Sequence, residues 1–67
     1  MLSDIVVEKL LEQRDFYLNM LKHLEFQSIT DPSEKEIEDI QKLQASTIEQ
    51  LKKVEQELAF LSSNNSP

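Results

Sequence analysis

Residues 37–61 carry an unbroken heptad. Ile37, Ile40, Gln44, Thr47, Leu51, Val54, Leu58 and Leu61 are separated alternately by three and four residues. That is the a/d spacing of a helix packed along one seam. Only the adjacent pair Gln44 and Thr47 is polar. A second series with the same alternation runs through Ser3, Val7, Leu10, Arg14, Tyr17, Leu21 and Leu24. The chain has no Gly, so most tight β-hairpin turns and every Gly-rich phosphate loop are excluded. The fold class this predicts is all-α.

Between the two series lies one break, Ser28-Ile29-Thr30-Asp31-Pro32-Ser33. Asp31 is read as the N-cap of the second helix, Pro32 as its first residue and Glu34 as the partner in a capping box. Acidic residues at 34, 36, 38 and 39 suit the positive end of that helix. Glu38–Lys42 and Glu49–Lys53 are i,i+4 pairs in the better orientation. Ser3 is a candidate N-cap for the first helix. The predicted organisation is a single helical hairpin over residues 1–62. It has a helix over about 3–27, a loop over about 28–32 and a helix over about 33–62, with residues 63–67 a disordered polar tail.

Folding the chain at the break places Leu24 opposite Ile37. The layers that follow are Leu21/Ile40, Tyr17/Gln44, Arg14/Thr47, Leu10/Leu51, Val7/Val54 and Ser3/Leu58. In this alignment the polar residues of one helix meet those of the other, which argues for an antiparallel, coiled-coil-like pair. The layers around Arg14, Tyr17, Gln44 and Thr47 have two readings. They fix the alignment at a cost in stability, or they receive a partner's carboxylate on the Arg14 guanidinium.

Sixty-seven residues is short for a self-sufficient core, and chains of this size usually need a disulfide, a metal or a partner. With no Cys and one His, disulfide and zinc staples are excluded. Association remains. The apolar arc of the first helix is wider than one neighbour needs. Val6, Leu11, Leu18 and Met20, with Leu43 and Ile48 on the second helix, are the predicted partner or oligomer interface. Two hairpins docked as a four-helix bundle would cover them, a homodimer being favoured. A hetero-bundle with another helical protein is the alternative. Ile5, Phe16 and His23 form a candidate second patch, read either as scattered surface residues or as a further contact. Phe26 and Ile29 are expected to plug the loop end of the bundle. Phe60 is expected to pack on the start of the first helix or on a partner.

Thirteen acids against seven bases give a net charge of −6. This disfavours direct binding to nucleic acid or to an anionic membrane surface. The start of the chain has no charged segment followed by an apolar one, and no apolar run is long enough to span a bilayer. The expected setting is intracellular, in the cytoplasm. No nucleophile–base pair or carboxylate pair in an apolar pocket is legible. His23 has no second His and no acid four residues on. No enzyme activity, catalytic residue, metal site or cofactor is therefore predicted.

In size and two-helix plan the chain resembles the small type III secretion co-chaperones, in architecture rather than by a motif. The sporulation aspartyl-phosphate phosphatases are also acidic hairpins, but Gln44–Glu49 lacks their Ser-Gln-Glu-Leu-Asp motif. The basic face of the plasmid copy-number RNA-binding hairpin has no counterpart here. The expectation is a protein–protein interaction module that self-associates or pairs with partner helices. Two alternatives are a small chaperone or adaptor, which the resemblance implies, and a regulator that occludes a signalling or transcription protein.

Overall fold

The computed structural model describes residues 2–64, with side chains described for residues 4–63. It contains two α-helices, α1 (Leu2–Ser28) and α2 (Glu34–Asn64), packed against each other. Among the described residues there is no strand. The hairpin is a rod of 51 × 15 × 14 Å. Its radius of gyration is 15.4 Å, against about 11 Å for a compact domain of this length.

The seam follows the heptad. Leu10 and Leu24 on α1 and Ile40, Thr47 and Val54 on α2 are buried. Val7, Arg14, Tyr17 and Leu21 are half-buried on α1, as are Gln44, Leu51, Leu58 and Leu61 on α2. These positions interleave every three or four residues, so each helix lays one stripe against the other. Four buried apolar side chains are a small core for a chain of this length.

The alignment differs from the one expected. Thr47 Oγ1 donates a hydrogen bond to Met20 Sδ at 3.3 Å. Met20 lies six residues along α1 from Arg14, the residue expected opposite Thr47. A heptad matches itself after a slide of seven residues, so the pattern alone does not select one alignment. Leu24 is buried while Ile37 is 40% exposed, so Ile37 is not covered as a layer on Leu24 would be. The polar-on-polar matching that placed Arg14 at Thr47 is not what sets the pairing.

The turn accounts for where α2 starts. Ser33, not Asp31, is the N-cap. The Ser33 carbonyl accepts from the Ile37 N–H at 2.9 Å, the first bond of α2. Ser33 Oγ accepts from the Glu36 N–H at 3.2 Å, and Glu36 Oε1 accepts from the Ser33 N–H at 3.3 Å. This is a reciprocal capping box two residues later than the predicted one. Asp31 instead takes φ 56°, the left-handed conformation that helix ends commonly need and usually give to Gly. In a chain without Gly, Asp is among the residues that tolerate it best.

The end of α1 is closed by hydroxyls. Ser28 Oγ donates to the Glu25 carbonyl at 2.6 Å and Thr30 Oγ1 to the Gln27 carbonyl at 2.9 Å. The Ile29 and Thr30 N–H groups donate to the Phe26 and Gln27 carbonyls. Together these satisfy carbonyls that have no partner within the helix. At its other end α1 already includes Leu2 and Ser3, so the helix starts before the cap expected at Ser3. The Ser3 side chain lies outside the described residues. Ser63 and Asn64 belong to α2, and residues 65–67 lie outside the described residues. Among the described residues the ion pair that closes is Lys9–Glu12 at 3.6 Å, not Glu38–Lys42 or Glu49–Lys53. It is exposed and contributes little.

Candidate interaction surface

A two-helix rod has two broad sides, and heptad position assigns residues to them. In an antiparallel pair the e and b positions of both helices flank the seam on one side, and g and c on the other. The six residues predicted as one interface divide between these sides. Leu11, Leu18 and Ile48 fall on the e/b side. Val6, Met20 and Leu43 fall on the g/c side. All but the half-buried Met20 are exposed.

The g/c side also gathers residues that the sequence placed elsewhere. Phe16 and His23 are one heptad apart at c, and they line a hollow of about 460 Å³ together with Met20, Leu24 and Leu43. They therefore share a hollow with Met20 and Leu43, two of the residues predicted as the interface. Ile5 lies at an f position on the back of α1 and is exposed. A second hollow of about 420 Å³ lies at the open end, between Val6 on α1 and Lys53, Glu57, Phe60 and Leu61 on α2. Phe60 is 65% exposed at its rim, so it shares a hollow with the start of α1 without being covered by it. Both hollows are shallow grooves rather than enclosed cavities. Phe16 also meets Tyr17 edge to face, with ring centroids 5.5 Å apart.

Charge separates the two sides further. On the e/b side α1 carries Asp4, Glu8, Asp15 and Glu25 against Lys22, and α2 carries Glu34, Glu38 and Glu55 against Lys52. Seven acids and two lysines give that side −5. On the g/c side are Lys9 and Lys53 with Glu36, Asp39 and Glu57. Three acids and two lysines give −1. Most of the net charge thus lies on one side of the rod, and the larger exposed apolar residues lie on the other.

The loop end is open. Phe26 and Ile29 are 65% and 75% exposed, so they do not plug it in the single hairpin. Phe26 shares the back of α1 with Ile5, and the capping bonds hold Ile29 in the turn, away from the seam. Of the polar layer, Thr47 is only 4% exposed and has the Met20 thioether as its side-chain partner. Arg14 Nε is buried and has no hydrogen-bond partner among the described residues. Arg14 as a whole is half-buried in the seam.

Among the described residues no three His, Asp or Glu side chains come together as a metal-holding group. No described helix is long and apolar enough to cross a membrane. The distinction between the two sides was available from the heptad letters, which assign g and c positions to one side without any coordinates. The prominence of Phe60, Phe26 and Ile29 was not, because it depends on where each helix ends. No family model matches the chain, and no curated protein and no solved structure matches it either.

Proposed function

We propose that the protein is a non-enzymatic interaction module, a helical hairpin that completes its core by self-association and serves as an assembly or scaffold subunit. One observation carries this reading. The chain buries four apolar side chains and leaves eleven large ones exposed among the described residues. Its accessible surface is 5549 Å², whereas a compact monomer of 7.8 kDa has about 4,400 Å². The surplus exceeds the roughly 800 Å² per partner that a standard interface removes. A second hairpin laid on one broad side would form a four-helix bundle with two apolar layers in place of one.

Light scattering with circular dichroism along one dilution series tests this. A helical dimer whose melting temperature rises with chain concentration is the expected result. A helical monomer at every concentration would refute it.

A second reading, a small adaptor for another protein's helix, draws on Leu11, Leu18 and Ile48. They form a narrow apolar strip within the −5 side, a surface suited to a basic amphipathic helix. Saturable binding of such a peptide, lost in Leu18→Glu, would support it.

A further inference from the structure

Two hollows on the g/c side are spaced so that a two-fold axis can exchange them. They lie two heptads apart on each helix: Val6 to Met20 on α1, and Leu43 to Glu57 on α2. That is roughly 21 Å along the rod. Midway between them, at the g positions, are the uncharged Gln13 and Gln50.

From this we infer that the self-association proposed above takes place through the g/c side, with two hairpins related by a two-fold axis that crosses the rod at the level of Gln13 and Gln50. The inference rests on the self-association reading. Such an axis lays α1 on α1 and α2 on α2, each antiparallel, and it exchanges the two hollows. Phe60 of each copy then lies against Leu43 of the other. Val6 lies at the level of Met20 and His23. Phe16 lies near the axis. Each hollow receives the apolar residues of the opposite hollow, as an isologous interface requires.

A second copy fits better here than on the other broad side for an electrostatic reason. Two e/b sides pressed together bring −5 against −5, while two g/c sides bring −1 against −1. Like-charge juxtaposition is costly where water is excluded. The g/c side also exposes the larger surfaces, Phe16 and Phe60, and aromatic anchors dominate interface energies.

The test uses the full chain. Leu43→Glu and Phe60→Glu are each expected to raise the dimer dissociation constant about 30-fold or more, the scale of an interface hot spot. Leu18→Glu, on the other side, is expected to leave it within a few-fold of wild type. If Leu18→Glu dissociates the dimer and Leu43→Glu does not, the assignment to the g/c side fails while self-association stands. A wild-type chain that is monomeric throughout fails both, so the two failures are told apart by the wild type alone.

Cross-linking provides a readout that does not depend on destabilisation. The chain has no Cys, so Leu43→Cys and Phe60→Cys chains bearing different mass tags can be mixed and oxidised. Disulfide-linked heterodimers should then form faster than either homodimer. Faster 43–43 or 60–60 linkage would overturn the antiparallel two-fold.

Discussion

Thr47 Oγ1 and Met20 Sδ lie 3.3 Å apart across the seam. A thioether is a weak acceptor, so the most deeply buried polar side chain of the hairpin has a poor partner. Thr47→Val keeps the shape and removes the hydroxyl. It should stabilise the hairpin by about 1 kcal/mol, since a buried hydroxyl without a good partner costs on the order of 1–3 kcal/mol. Urea unfolding at fixed chain concentration checks this. A lower midpoint for Thr47→Val would mean that the Met20 contact is worth more than the desolvation of the hydroxyl.

The capping box gives a local prediction. Ser33→Ala removes the acceptor for the Glu36 N–H and should cost about 1 kcal/mol, the usual effect of losing an N-cap. Asp31→Ala should leave that cap intact, because Asp31 is not the cap. Helicity and urea midpoints of the two variants separate the assignments. If Asp31→Ala removed the cap contribution and Ser33→Ala did not, α2 would start two residues earlier.

Asp31 is informative through its backbone. At φ 56° a β-branched side chain is strained, by roughly 1–2 kcal/mol. Asp31→Val should therefore destabilise by about that amount. Asp31→Gly should be near neutral, because relief of the left-handed conformation offsets the extra freedom of Gly in the unfolded chain. Equal midpoints for the Val and Gly variants would show that residue 31 is not held left-handed.

The heptad made the two helices and the seam legible. From Val7 to Leu24 and from Ile40 to Leu61, the a and d positions are the ones the structure covers. The alignment between the helices was not legible, because a heptad matches itself after every seven residues and the polar residues were too few to select one setting. Ile37 shows the consequence: an a position by pattern, it is 40% exposed. The split of Leu11, Leu18 and Ile48 from Val6, Met20 and Leu43 lies between these cases. Each residue flanks the seam, and only its side of the seam decides whether six residues make one surface or two. Phe26 and Ile29 are uncovered in the single hairpin, since apolar character alone does not bury a residue that has nothing opposite it.

Arg14 is the last test of the seam. Its Nε is buried without a hydrogen-bond partner, and a buried donor left unsatisfied costs about 1–3 kcal/mol. The alignment separates Arg14 from Thr47, whose thioether contact is six residues along α1 at Met20. Arg14→Met keeps an unbranched stem of similar reach in the seam and deletes the donor. The expected result is a higher urea midpoint with an unchanged slope, since the surface exposed on unfolding is nearly the same. The same variant distinguishes the two roles open to Arg14. If its guanidinium receives a carboxylate from the other copy, Arg14→Met weakens dimerisation and lowers the midpoint at low chain concentration. If it only fills the seam, the gain in midpoint persists across the whole dilution series.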